Sequence, residues 1–334
     1  MQAIIPLAGK GTRVRPHTHS RPKPLLRVGN RPVLSYVVDQ LVESGVTELI
    51  CITGHLADQI ESYLAREYPG LEKRYVEQVE QRGTADAIRL ARPLVRGPVL
   101  IVFVDTIFDA DLSLIESRPE DDGIIWAKEV EDYQRFGVIV TDDDGYMSRI
   151  VEKPAEPISR LANIGLYYIR DHELMFEGIA EVMAREPLLG EYFLTDAFQY
   201  MIDQGSRIFT AEVEGWWDCG KVETLLETNQ EMLRRTSETA GASGPDAEGV
   251  SRRGAVALAE GVRLEDAEIG PNVSIARGSV VRRSRLRDCI VGAETQIEDC
   301  ELWDSIVGDH ARVMGVRGTV NLGDHSEVVA GAAE

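Results

Sequence analysis

"PLAGKGTRVRPHTHSRPKPLL", residues 6–26, decides how the rest of the chain is read. It overlaps the short apolar run "AIIPL" (3–7), and a buried strand running into a Gly-rich turn is how an α/β unit opens. The stretch is also an electrostatic anomaly. The 334-residue chain has a formal net charge of −20, yet Lys10, Arg13, Arg15, Arg21, Lys23, Arg27 and Arg31 all precede the first carboxylate, Asp39. Positive charge gathered in one Gly/Pro-rich turn of an acidic protein predicts an anion site. Glycines let backbone N–H groups approach an anion, while Arg13 and Lys23 add bidentate and point-charge contacts. The turn is neither a Walker A loop, since no glycine precedes Gly9-Lys10 at the required spacing, nor a dinucleotide fingerprint, since Val14 fills the third glycine's place.

Outward from this turn, strand and helix patterns alternate. "RPVLSYVVDQLVESG" (31–45) predicts a helix, with Pro32 in its first turn, Leu34, Val37, Val38, Leu41 and Val42 at helical spacing, and Gly45 as a stop. "ELICIT" (48–53), "RYVEQ" (74–78) and "VLIVFV" (99–104) read as strands, and "LADQIESYLAR" (56–66) and "TADAIRLA" (84–91) as helices. This is the doubly wound α/β pattern, with ligands at the carboxyl ends of the strands. Beyond residue 123, "GIIWAKEV", "GVIVTDDDGYMSRIVEKP" and "IGLYYI" predict longer strands of a mixed-sheet extension, with Asp144-Gly145 in a turn.

Residues 236–254, rich in Ser, Thr, Gly and Ala, read as a linker. A repeat then begins: "IGPNVSI" (269–275), "VGAETQI" (291–297), "VGDHARV" (307–313) and "LGDHSEV" (322–328) each read aliphatic, Gly, four mostly polar residues, aliphatic. Such hexapeptide spacing predicts a short parallel β-helix, expected to be left-handed, with aliphatics stacked inward.

The totals bound the function. Hydrophobic content of 43% and charged content of 28% belong to a globular protein. No apolar run approaches the roughly 18–20 residues that cross a bilayer, and no signal peptide is read, so neither membrane nor export is expected. Cys51, Cys219, Cys289 and Cys300 lack CxxC pairing and read as buried thiols of a reducing cytoplasm. Acidity argues against nucleic acid as a partner, because duplex affinity rests on neutralising phosphates.

"LAGKGTRVRPHTHSRPKPLL" resembles the G-x-G-T-R-x-x-P…K-P signature of the sugar-1-phosphate nucleotidylyltransferases, in particular the glucose-1-phosphate thymidylyltransferase and uridylyltransferase-like enzymes. These join a nucleoside triphosphate to a sugar 1-phosphate and release pyrophosphate. Five later elements agree in order. "EQVEQRGTADAI" resembles the base-reading segment, with Gln78 five residues before Gly83. "FVDTIFD" resembles G-D-x-x-F, with Val104 where glycine is usual. "FGVIVTD", "IVEKP" and "ANIGLYYI" supply Gly137, Glu152, Lys153 and Asn163. "GEYFLTDA" matches the sugar-pocket stretch, and "WWDCG" the W-x-D-x-G element. The resemblance spans roughly residues 1–234.

It implies a Rossmann-like nucleotidyltransferase catalytic domain over 1–235, a linker over 236–254 and the β-helix over 255–334. It implies Arg13, Lys23 and Lys153 as catalytic residues, with Leu7, Ala8, Gly9, Gly11, Thr12, Gln78, Gly83 and Thr84 binding the nucleotide. Gly137, Glu152, Asn163, Glu191 and Trp216 would line the sugar-phosphate pocket, and Asp105 and Asp218 would hold Mg²⁺. His17 and His19 fall in the substrate loop, as packing or as catalytic groups. The expected reaction joins UTP or dTTP to a sugar 1-phosphate, chiefly glucose 1-phosphate, by in-line attack at the α-phosphorus. The alternatives are a mannose-1-phosphate guanylyltransferase using GTP, a non-catalytic regulatory subunit, and a bifunctional enzyme whose β-helix acts as an acyltransferase with His310 or His325 as its base. Oligomerisation or regulation is the role expected of residues 255–334, as a homo-oligomer.

Overall fold

The computed structural model describes residues 1–240 and 248–330. The chain groups into two compact units, Met1–Gly9 with Val37–Trp216, and Lys10–Tyr36 with the chain from Trp217 onward.

The first unit is a nine-stranded mixed sheet with helices. In chain order its elements are β1 (Gln2–Pro6), α1 (Val33–Glu43), β2 (Glu48–Thr53), α2 (Ala57–Glu67), β3 (Glu72–Glu77), α3 (Thr84–Arg89), β4 (Val99–Val102), β5 (Gly123–Glu129), β6 (Gly137–Thr141), β7 (Met147–Glu152), β8 (Leu161–Ile169), α4 (His172–Met183), α5 (Leu194–Asp203) and β9 (Ile208–Glu212). The hydrogen-bonded order is β7-β6-β8-β4-β1-β2-β3, with β5 paired to both β8 and β9. β1 lies parallel to β2 and β4, and β2 parallel to β3. β8 runs antiparallel to β4, β5 and β6. The parallel centre is buried on both faces, so β2 is buried at all six positions and its sequence alternates in nothing. Ile4, Ile50, Ile101, Ile125, Tyr167 and Phe198 belong to one apolar cluster.

Three local expectations are corrected. Pro32 lies in a two-residue strand, Arg31–Pro32, that pairs back on Arg27–Val28, and α1 begins only at Val33. Proline's fixed φ and missing N–H suit an edge strand as well as a helix start. Val42 is 45% exposed, so the buried stripe of α1 ends at Leu41. The apolar run 99–104 is strand only to Val102; Phe103 donates its N–H to Gly165 O across a bend (2.9 Å), and Val104 and Asp105 form the following turn.

In the second unit, α6 (Val222–Ala240) continues through the first residues of the stretch read as linker, and strand resumes at Ser251–Arg252. Residues 241–247 of that stretch lie outside the described residues. From Ser251 to Val329 every strand pairing is parallel, as a β-helix requires. Partners recur 15–17 residues apart: Leu264, Val281, Ile297, Val313 and Val328 form one column. That column has five rungs where the hexapeptide pattern shows four units. Leu264 and Val281 escape the pattern because "LAEGVRL" (258–264) and "IARGSVV" (275–281) place their glycine three residues after the aliphatic instead of one. Inside, Ile269, Val273, Val281, Leu286, Val291, Ile297 and Val313 stack into a separate apolar core.

Candidate active site

In the first unit the chain past β1 is pinned at Leu7 and Ala8 and clear of neighbours at Gly9. Leu7 donates its N–H to Ile52 O (2.7 Å), and Ala8 packs so closely on Gly54 that a Cβ there would lie 3.0 Å from its methyl. Ala8 O accepts from the Gln81 amide, while a Cβ on Gly9 would meet nothing within 4 Å. The backbone at Gly9 is therefore unobstructed, as an anion-approach loop needs.

Gln78 is buried (7% exposed). Its carboxamide Nε2 donates to Asp86 Oδ2 at 3.2 Å, and Asp86 pairs with Arg89 at 2.9 Å. Five residues on, Gly83 takes φ +116°, and a Cβ there would collide with the backbone of Tyr192. The surrounding bonds explain that approach. Tyr192 N–H donates to Arg82 O (2.9 Å), Ala85 N–H donates to Tyr192 O (2.9 Å), and Thr84 Oγ1 accepts from Leu194 N–H (2.9 Å). The segment expected to read the base is thus stitched to the segment expected to line the sugar pocket.

A second cluster surrounds Gly137. A Cβ there would fall on the Asn163 amide nitrogen and within 2.9 Å of Glu152 Oε2 and Thr195 Cγ2. Asn163 Nδ2 donates to Gly137 O at 2.9 Å, and Tyr167 OH donates to Asn163 Oδ1. Complete burial keeps the Tyr167 hydroxyl protonated far beyond the ordinary phenol range, so it stays a donor and fixes the orientation of the Asn163 amide. Glu152 accepts from Thr195 Oγ1 at 3.1 Å. Burial raises its carboxyl above 4.5, against the lowering effect of Thr195 and Lys153. Lys153 is in the left-handed region (φ +45°), held by its N–H to Phe136 O (2.9 Å), with Nζ 4.7 Å over the Phe193 ring. A lysine in that conformation costs on the order of 1 kcal/mol or more, so the surrounding structure imposes the direction of its side chain. Trp216 meets Phe136 edge-on at 5.2 Å, and its buried Nε1 has no hydrogen-bond partner. Glu191 is exposed, at the end of a tight Leu188–Glu191 bridge. Asp105 is half-buried in the turn after β4.

The second unit holds the signature loop. Gly11 takes φ +59° before a short turn, Thr12–Val14, and a Cβ on it would strike Thr18 Cγ2 (2.9 Å) and Lys23 Cβ (3.0 Å). Thr18 Oγ1 donates back to Gly11 O (2.8 Å), so Thr12, Arg13 and Lys23 are set by one compact knot. Asp218 Oδ1 accepts from Gly220 N–H (2.7 Å), and its carbonyl from Thr228 Oγ1 (2.9 Å). A Cβ on Gly220 would lie 3.3 Å from an Arg13 guanidinium nitrogen and against the Asp218 carboxylate, which brings Arg13 and Asp218 together. His17 is a packing residue. It is 4% exposed, and its Nε2 lies 2.5 Å from Asn321 Oδ1. His310 and His325 are exposed neighbours on one corner of the β-helix, their rings stacked 4.9 Å apart.

Sequence reasoning did not single out Asp86, Gln81, Tyr192, Phe193, Thr195 or Phe136. Asp86, one helical turn past Gln78's loop and 3% exposed, had a signal in its position within "GTADAI"; the others depend on contacts 40–110 residues distant.

All four cysteines are buried; burial pushes the Cys51 and Cys289 thiols up to about 12. Among the described residues no helix is long and apolar enough to cross a membrane.

Comparisons with known proteins agree with this geometry. Residues 2–235 match the family model described as nucleotidyl transferase. A UTP–glucose-1-phosphate uridylyltransferase, AglF, of Haloferax volcanii is 32% identical over 71% of this chain and 99% of its own. A glucose-1-phosphate thymidylyltransferase of Streptomyces antibioticus is 29% identical over 98% of this chain and 99% of its own. The fold is similar to that of a UDP-glucose pyrophosphorylase solved with UDP-glucose, with TM-score 0.62 and 24% identity over 70% of this chain and 98% of the other. The chain belongs to the nucleotidyl transferase family, and its named relatives are sugar-1-phosphate nucleotidyltransferases.

Proposed function

We propose that the protein joins UTP or dTTP to a sugar 1-phosphate, glucose 1-phosphate first among them, giving an NDP-sugar and pyrophosphate. The observation that carries this reading is the packing of Glu152, Asn163 and Thr195 around Gly137, Thr195 turning its methyl to the glycine and its hydroxyl to Glu152. It sets a carboxylate, an amide and a hydroxyl side by side, the donor and acceptor set that sugar hydroxyls need. Gln78 would present an amide to a pyrimidine edge, and Gly83 would let the base approach the backbone. On this reading residues 1–235 carry the nucleotidyl transfer and residues 255–334 the β-helix.

Both reactants are anions, so the barrier is largely charge repulsion and alignment. Arg13 would bind the transferring and leaving phosphates, while Lys23 and Lys153 hold the incoming phosphate so that its oxygen faces the α-phosphorus. The constrained backbone of Lys153 supports that role, since a strained residue is kept where its direction matters. Nucleotidyltransferases of this family typically use a divalent metal. We assign that metal as Mg²⁺ and its protein ligands as Asp105 and Asp218, hard oxygen donors suited to a cation completed by phosphate oxygens. Bound there, the ion would offset negative charge on the phosphates.

The test is pyrophosphate release with Mg²⁺ across UTP, dTTP, GTP, ATP and CTP against glucose, galactose, mannose and N-acetylglucosamine 1-phosphates. Turnover with UTP or dTTP supports the reading, and preference for GTP overturns the base assignment. Arg13→Ala, Lys153→Ala and Asp218→Ala should each lose about 10²–10³-fold in turnover while remaining folded.

A further inference from the structure

We propose that the last coils of the β-helix position the signature loop for catalysis, with Asp309 as the positioning residue acting through Arg21 and Arg27. The inference rests on the proposed roles of Arg13 and Lys23.

The loop 10–31 has little regular structure of its own beyond the Gly11–Thr18–Lys23 knot. It consists of three short turns and one two-residue strand pair, so few of its backbone groups are secured by a ladder. Its side chains are secured about 230–300 residues away in sequence. Arg21 donates to Asp309 Oδ2 and lies 3.7 Å from Asp324. Arg27 reaches the other oxygen, Asp309 Oδ1, at 3.4 Å. Ser20 Oγ donates to Asp324 Oδ2 at 2.7 Å, and His17 pairs with Asn321. Asn30 Nδ2 donates to the carbonyls of Ala257 (2.8 Å) and Ile275 (3.0 Å) on adjacent coils. Lys23 lies between Arg21 and Arg27, both bonded to the same carboxylate. Arg13 is connected through the Gly11–Thr18–Lys23 knot.

The anchor itself is rigid. Asp309 Oδ1 also accepts Ala293 N–H from the coil below (2.8 Å), and Asp309 N–H donates to Asp324 Oδ1 of the coil above (2.7 Å). The side chains of Asp309 and Arg21 are only 13% and 20% exposed, where solvent screens a charge pair weakly. Burial, the largest influence, would raise the Asp309 carboxyl; Arg21, the Ala293 N–H and Arg27 together outweigh it and hold the group below its ordinary value. A charge cluster that is largely buried fixes geometry more than it adds stability. A displacement of about 1 Å in groups that bind a transferring phosphate can cost on the order of 10²-fold in rate.

The experiment uses Asp309→Asn, Arg21→Gln and Asp309→Glu in the full chain. Asn keeps an oxygen for the Ala293 N–H, so the coil stays bonded while the charge facing Arg21 and Arg27 is removed. Each variant is measured for kcat, for KM of both substrates, for thermal melting, and for amide hydrogen exchange of residues 11–27. We expect Asp309→Asn and Arg21→Gln to lower kcat by about tenfold or more, with faster exchange in 11–27 and unchanged nucleotide preference. Asp309→Glu should recover part of kcat. Unchanged kcat and unchanged exchange in both charge-removing variants, alongside an inactive Arg13→Ala, would overturn the inference while leaving the catalytic reading intact. An active Arg13→Ala would instead overturn the catalytic role of the loop, and the exchange rates would still decide whether Asp309 holds it. A loss of melting temperature with unchanged kcat would assign Asp309 to stability only and so also overturn the proposal.

Discussion

The Gln78 carboxamide points its nitrogen at the Asp86 carboxylate, 3.2 Å away, and both side chains are buried. An amide beside an ionised carboxylate must turn its NH₂ inward, because the alternative sets two acceptors face to face. Asp86 therefore fixes which atoms of the Gln78 amide remain, those that on the proposed reading would meet a base.

Asp86→Ala should leave the Gln78 amide free to rotate. The expected result is a loss of roughly 10–100-fold in kcat/KM for the preferred nucleotide, with a smaller loss for the others. Arg89→Met should be nearly neutral, since Arg89 is 46% exposed and such pairs contribute about 0–1 kcal/mol. Steady-state kinetics on both variants with UTP, dTTP and GTP checks this. Equal losses on every nucleotide after Asp86→Ala would remove Asp86 from base selection.

Glu152 has its carboxyl raised by burial. With the folded value above 4.5, the native state binds more protons than the unfolded chain between 4.5 and that raised value. Glu152 therefore costs stability as pH rises through this window, and the cost is full at neutral pH. Glu152→Gln should stabilise the protein at pH 7 with the advantage vanishing near pH 4.5, as read by urea unfolding. The same substitution should raise KM for the sugar phosphate at pH 7.5, because the carboxylate is the better hydroxyl acceptor. Unaltered KM would remove Glu152 from the sugar pocket.

His17 has its pKa lowered by burial, more than the Asn321 bond and Asp324 raise it and with Arg21 adding to the lowering. Between that lowered value and 6.5 the unfolded chain binds more protons, so stability attributable to His17 rises with pH and is lost on acidification. His17→Gln keeps a donor toward Asn321 but cannot charge. The wild type should lose stability relative to His17→Gln as pH falls from 7.5 to 5.5. Parallel stability curves would show that His17 binds its proton alike in the folded and unfolded chain, and so that burial does not lower it.

The parts of the fold legible in sequence are those set by local pattern. "ELICIT" (48–53) coincides with β2, because a fully buried parallel strand has an unbroken apolar run. The α/β alternation and the coils after residue 255 were legible through periods of apolar residues. Apolar spacing read less well where a bend ended a strand, at Phe103, or where a helix turned a valine to solvent, at Val42. Residues 236–240 read as linker because Thr and Ser are weak helix formers, yet they continue α6, which is held upstream by Asn229, whose amide bonds to Gly29, Ser274 and Asn272.

For the candidate site, glycine and charge patterns marked Arg13 and Lys23, and the resemblance of their motifs marked Gly83, Gly137 and Lys153. They did not mark Thr195, Tyr167 or Asp86 as the groups that orient Glu152, Asn163 and Gln78. A single sequence shows which residue types are able to do chemistry, because type and local spacing are written in it directly.

By itself, then, the sequence determined the layer of strands and helices, the coil of the β-helix and the positive charge of the loop, since these follow from periodicity and composition. Only the tertiary structure decided that Arg21 and Arg27 share Asp309, 288 and 282 residues away. No local pattern encodes which oxygen a guanidinium will meet; that is settled when separate segments fold together and each buried charge must find a partner.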